Sequence, residues 1–173
     1  MNLPVFLLSG FLLVLLTGPT VNGKLVTLCD SPHGTFQSVS ILNCKNTDRF
    51  CVFKKNTNVS IEVNFVPSKC LNNNFLIIIL KIIFCADYAA TSVQTKIIGD
   101  VAGVPIPFPV NPKEACGNYG LNCPLTTGDK TQFKMELPIK AAYPAIAVGV
   151  TIKLVDESSA NLVCLKFNAK ITE

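Results

Sequence analysis

The chain has 173 residues, of which 49% are apolar and 15% charged, with a net charge of +4. That is too apolar for a disordered chain, and the length suits one domain or two. The modest charge, with no long single-sign run, argues against a nucleic-acid binder and is compatible with weak attraction to an anionic membrane surface.

Residues 1–23 carry no charged side chain and include the apolar run Val5–Leu16. A run of about 12 residues has the length of a signal-peptide core and falls short of the roughly 20 needed to span a bilayer. Thr17-Gly18-Pro19 breaks the run, and Val21 and Gly23 suit the small-residue positions before a cleavage site. We read 1–23 as a secretory signal peptide and 24–173 as a single domain.

All eight cysteines follow that segment: Cys29, Cys44, Cys51, Cys70, Cys85, Cys116, Cys123 and Cys164. An even number in an exported chain reads as disulfides, although spacing alone does not give the connectivity. Cys44/Cys51 and Cys116/Cys123 are local pairs. A zinc site is disfavoured, because there is no C-x-x-C and His33 is the lone histidine. Asn58-Val59-Ser60 is a glycosylation sequon, with Asn58 as the acceptor.

Strand patterns dominate. Val59, Ile61, Val63 and Phe65 alternate with polar residues and share one face, as do the apolar residues of 148–154 and 163–171. Turn-rich clusters at 30–34, 126–129 and 156–159 separate such runs. No segment after the leader shows helical periodicity. Short strands with turns between them predict an antiparallel β-sandwich.

Residues 70–85 are unusual: an apolar block from Phe75 to Phe84, with Lys81 inside it, lies between Cys70 and Cys85. It is too short to cross a membrane and hazardous as an exposed strand. One reading is a hairpin clipped by a Cys70–Cys85 disulfide. The favoured one is an insertion from a retained intron, since Asn, Ile, Lys, Phe and Leu are what AT-rich DNA encodes.

In Gly103-Val104-Pro105-Ile106-Pro107-Phe108-Pro109, an extended backbone puts Val104, Ile106 and Phe108 on one side and the prolines on the other. Prolines at alternate positions strip one edge of N–H donors, so no further strand can pair there. The segment belongs at a sheet edge with its apolar row facing inward. Two readings remain: a greasy opening between two sheets, or a plain edge strand or polyproline loop. Leu137-Pro138-Ile139 and Tyr143-Pro144 add apolar groups near a second rim.

These motifs, with Cys29, Cys44, Cys51, Cys116, Gly120-Leu121-Asn122-Cys123-Pro124-Leu125 and Cys164, resemble the ML lipid-recognition family. The likeness is to its type-two Niemann-Pick type-C branch of secreted sterol-transfer proteins. It spans the mature chain except 70–85. It implies an all-β, immunoglobulin-like sandwich of two sheets with an apolar cavity between them, and disulfides Cys29–Cys164, Cys44–Cys51 and Cys116–Cys123. It further implies a ligand-binding set of Val104, Ile106, Phe108, Ile139, Tyr143, Pro144 and Ile152, with Phe108 and Tyr143-Pro144 at the entrance. Where sterol-binding vertebrate members carry Trp, this chain has Ile152 and Leu165, so sterol and fatty-acid-like lipids both remain as ligands.

The expected function is non-enzymatic lipid carriage, with no cofactor and no metal. The expected partners are a sterol or fatty-acid-like lipid and either a membrane sterol transporter or an anionic membrane surface. The expected protein is a monomer, secreted or in the endosomal or lysosomal lumen. Catalysis is disfavoured: there is no G-x-S-x-G, and His33 in Pro-His-Gly reads as a solvated loop residue. An immune or semiochemical lipid-binding module is the alternative, and a plain sandwich with a filled core a further one.

Overall fold

A computed structural model describes residues 26–45, 48–70, 85–86 and 88–173. In chain order its strands are β1 (Val26–Leu28), β2 (Gly34–Ile41), β3 (Cys51–Lys54), β4 (Thr57–Pro67), β5 (Lys69–Cys70), β6 (Cys85–Ala86) and β7 (Ala89–Ala90). Then come β8 (Val93–Val101), β9 (Val104–Phe108), β10 (Leu125–Thr126), β11 (Thr131–Ile139), β12 (Ala147–Asp156) and β13 (Asn161–Thr172). No helix occurs among the described residues.

The strands form two principal sheets. The larger has the order β1-β13-β12-β8-β9, with β3 also on β13; the smaller has the order β11-β4-β2. Pairing is antiparallel except between β3 and β13, which run parallel. The period-two pattern explains the packing. In β4, Val59, Ile61, Val63 and Phe65 are all buried, and they meet Leu137, Met135, Phe133 and Thr131 of β11 in register. From the larger sheet, Ile152 and Leu154 of β12 and Leu165, Phe167 and Ala169 of β13 join the same hydrophobic core. Burial of this kind is the main stabilising term, about 1.5–3 kcal/mol for each large aliphatic or aromatic side chain.

Among the described residues, three disulfides fasten the sandwich: Cys29–Cys164, Cys44–Cys51 and Cys116–Cys123. These are the three pairs that the family resemblance implies. The outer edge of β13 is covered by two short strands in succession, β1 opposite Leu165–Phe167 and β3 opposite Ala169–Thr172. Cys29 follows β1 directly and Cys51 opens β3, so each cover is pinned by its own disulfide. At Gly34 a side chain is excluded, since a Cβ there would stand 2.1 Å from the Leu162 carbonyl oxygen. This close approach lets the start of β2 lie against β13.

The β8–β9 hairpin turns on Ala102 (φ 52°) and Gly103 (φ 86°), two successive left-handed residues. This is the mirror-image turn that suits strand twist, and the Gly103 N–H donates to Asp100 Oδ1 at 2.9 Å. The backbones of β5 and β6 pair with Cys70 opposite Cys85. The interior of the insertion, including Phe75–Phe84, lies outside the described residues, and so does the leader 1–23.

Candidate functional site

β9 is the edge of the larger sheet and pairs with β8 alone, Ile106 opposite Gly99 and Phe108 opposite Ile97. Proline has no N–H to give, so the bonded positions fall on Val104, Ile106 and Phe108, and the prolines face the open side. Of the apolar row on β9, Ile106 and Phe108 face the space between the sheets, whereas Val104 does not reach it. Val104 is 59% exposed, Ile106 is 51% exposed, and Phe108 alone is half-buried. The space behind β9 is hollow rather than packed, so its side chains keep their access.

That hollow is an apolar pocket of about 410 Å³. One wall comes from β8 and β9, with Ile97, Gly99, Ile106 and Phe108; another from Leu137 and Ile139 of β11 in the smaller sheet. Val148 and Val150 of β12, Ile171 of β13 and Phe53 of β3 complete the floor. Residues of the β11–β12 connection, among them Lys140, Tyr143, Pro144 and Ile146, close one side. The connection is held by backbone bonds from Tyr143 N–H to the Lys140 carbonyl (3.1 Å) and from Ile171 N–H to the Ile146 carbonyl (2.9 Å). Phe108 and Tyr143 touch edge to face, ring centroids 5.5 Å apart at 71°, so the sheet edge meets the connection through an aromatic pair. Burial pushes the Tyr143 hydroxyl pKa up, so it stays a neutral hydrogen-bonding group near neutrality.

Of the seven residues singled out from sequence, Ile106, Phe108, Ile139, Tyr143 and Pro144 line this pocket. Val104 does not: it stands beside the hairpin turn, exposed. Ile152 does not either: it is 1% exposed, in the packed core. The β8 contribution was missed because Ile97-Ile98-Gly99 interrupts alternation. Val148 and Val150 lie in a recognised strand, but alternation does not distinguish a side chain facing a void from one facing a neighbour.

At the far end of β12 lies a second cluster. His33 is buried, not solvated: its Nδ1 lies 2.5 Å from Asp156 Oδ2, and the Tyr88 hydroxyl donates to the same oxygen at 2.5 Å. Asp156 Oδ1 accepts from the Ser158 N–H and hydroxyl and from the Ala160 N–H, at 2.7–3.0 Å. Burial alone would raise the carboxyl pKa. The bonds from Tyr88, His33, Ser158 and Ala160 outweigh it and hold Asp156 well below the usual carboxylate range. The Tyr88 hydroxyl is pushed up, by burial and then by the Asp156 carboxylate. Among the described residues there is no cluster of metal-ligating side chains, and no helix long and apolar enough to cross a membrane.

The two-sheet sandwich has known counterparts. The ML domain family model matches residues 78–171. The chain belongs to the ML domain family. It is 32% identical to a fruit-fly (Drosophila melanogaster) protein named NPC intracellular cholesterol transporter 2 homolog a, over 83% of this chain and 84% of that one. It is 30% identical to the ecdysteroid-regulated 16 kDa protein of Manduca sexta, over 88% and 91% of the two chains. The crystal structure of a Niemann-Pick type C2 protein from the Japanese carpenter ant shares the fold, with a TM-score of 0.71 at 24% identity, over 84% of this chain and 98% of that one.

Proposed function

We propose that the protein is a non-enzymatic lipid carrier. It takes a sterol into the apolar pocket and hands it to a membrane or a partner. The observation that carries this reading is the pocket itself, with apolar walls from both sheets and a Phe108–Tyr143 aromatic pair. The fruit-fly relative, named as a cholesterol transporter, supports sterol as the ligand class. In this reading Ile106, Phe108, Ile139, Tyr143 and Pro144 contact the ligand directly. Val104 contributes to the exposed face that meets the donor or acceptor surface, and Ile152 supports the floor from behind.

The mechanism is desolvation without covalent chemistry. Burying the apolar body of the ligand supplies the free energy, and the Tyr143 hydroxyl and Lys140 mark the wet end. A sterol of about 28 heavy atoms, at roughly −0.3 kcal/mol each, gives about −8 kcal/mol and a micromolar dissociation constant. That affinity allows both pickup and release. Disulfides and the leader suit secretion or an endosomal or lysosomal lumen. A fatty-acid-like ligand is the second reading, with Lys140 at the pocket rim as the cation for its carboxylate.

Native mass spectrometry of the secreted protein, titrated with cholesterol, tests this. One sterol mass per chain is the expected result. A fatty-acid increment supports the second reading. No adduct on the oxidised protein would sink both.

A further inference from the structure

Among the described residues, one buried side-chain polar atom is left without a partner. Thr95 is 2% exposed, and its Oγ1 has no hydrogen-bond partner. Its neighbours are apolar: Leu154 faces it across β12, and Val93 and Ile97 flank it along β8. Asp156 is close in the sheet, but both of its oxygens are taken by other donors. An unpaired buried hydroxyl is destabilising, and valine has nearly the same shape without that penalty.

Thr95 also belongs to a second hollow. A groove of about 540 Å³ runs along the sheet edge where the chain leaves β9, bounded by Thr95, Ile97, Phe108, Pro109, Val110 and Lys113. Ile97, Phe108 and Pro109 border both the groove and the pocket. The groove and the pocket thus adjoin at Phe108, with Thr95 on the groove side. From Val101 to Thr95 is six residue steps along β8, about 20 Å at strand spacing.

We propose that Thr95 is the polar anchor of an inner ligand subsite, receiving a neutral hydroxyl at the end of the lipid that enters first. This rests on the carrier reading given above. A hydroxyl both donates and accepts, as Thr95 does. A carboxylate would shed its water with no buried cation to meet it, since Lys96 and Lys113 are exposed. Phe108 stands between the two hollows.

The test is Thr95→Val, with Thr95→Ser as the variant that keeps the hydroxyl. The probes are cholesterol, cholesterol bearing an added hydroxyl at its side-chain terminus, and hexadecanol. Thr95→Val should bind at least one of them about tenfold more weakly than wild type, and Thr95→Ser should restore it. Loss confined to the side-chain-hydroxylated sterol means entry tail first; loss for cholesterol or hexadecanol means entry head first. Wild-type binding of every probe with no loss in Thr95→Val overturns the anchor and leaves the carrier reading standing. Failure of the wild type to bind any probe sinks both. Thr95→Val should unfold no more readily than wild type; a marked loss of stability would show that the hydroxyl is already paired within the protein, and would also overturn the proposal.

Discussion

The two ends of β12 are built on opposite plans. At Asp156 each carboxylate oxygen is used, the ring of His33 tilts against that of Tyr88 at 5.0 Å, and water is largely shut out. At Val150 and Val148, about 20–26 Å away along the strand, the side chains face an apolar hollow whose rim carries the exposed Ile106. One end is closed by satisfied polar groups, and the other is left open with little polar to satisfy. Order concentrated at the first end, with the Cys29–Cys164 bond close to it in the fold, lets the second remain unfilled without loosening the domain.

Breaking the closed end should cost stability and spare binding. The largest effect should follow Cys29→Ser combined with Cys164→Ser, a loss of about 4 kcal/mol by urea titration, since this disulfide closes a loop of 135 residues. Asp156→Asn should follow, at about 3 kcal/mol, because His33 and Tyr88 lose their shared acceptor. The same residue predicts a pH dependence. Its folded-state pKa is depressed, so its contribution is complete above the unfolded value of about 4 and is lost as pH falls through the folded value. Stability should therefore fall with acid below about pH 4, and less steeply in Asp156→Asn.

Breaking the open end should do the reverse. Phe108→Ala should weaken lipid binding about tenfold by tryptophan-free fluorescent-sterol titration, with a stability loss under about 1 kcal/mol, as the ring is half-buried and borders a void. An equal loss of stability and binding would erase the contrast between the ends. The smallest effect is expected from deleting residues 70–85, which we propose to be an insertion. Lys69 and Ala86 already face each other across β5 and β6, so the cut ends meet. The melting temperature should shift by only a few degrees; complete unfolding would assign the segment a structural role, and sequencing the transcript would show whether it is encoded at all.

Much of the frame was legible in the chain. Strict alternation in 59–65 and 163–171 gave two strands and their buried faces, and the alternate prolines of 104–109 gave the sheet edge. What failed did so for physical reasons. His33 read as a loop residue because its partner lies 123 positions away, and pairing at that distance leaves no local pattern. Val104 and Ile152 share an alternating apolar row with pocket residues, yet one is exposed and the other 1% exposed. Alternation assigns a face; it says nothing about whether the space beyond that face is filled. The turn at Ala102-Gly103 was unmarked because alanine seldom takes the left-handed conformation that this hairpin requires.

The short covers on β13 have a consequence for where the protein can survive. Twelve residues of that strand carry an outer edge guarded by β1 and β3, three and four residues long, each stitched at one end by a disulfide. Reducing those bonds would unlatch both guards together and present a long bare hydrogen-bonding edge, the template on which chains polymerise. A reducing cytosol would thus be an aggregating environment for this domain, quite apart from any loss of folding free energy.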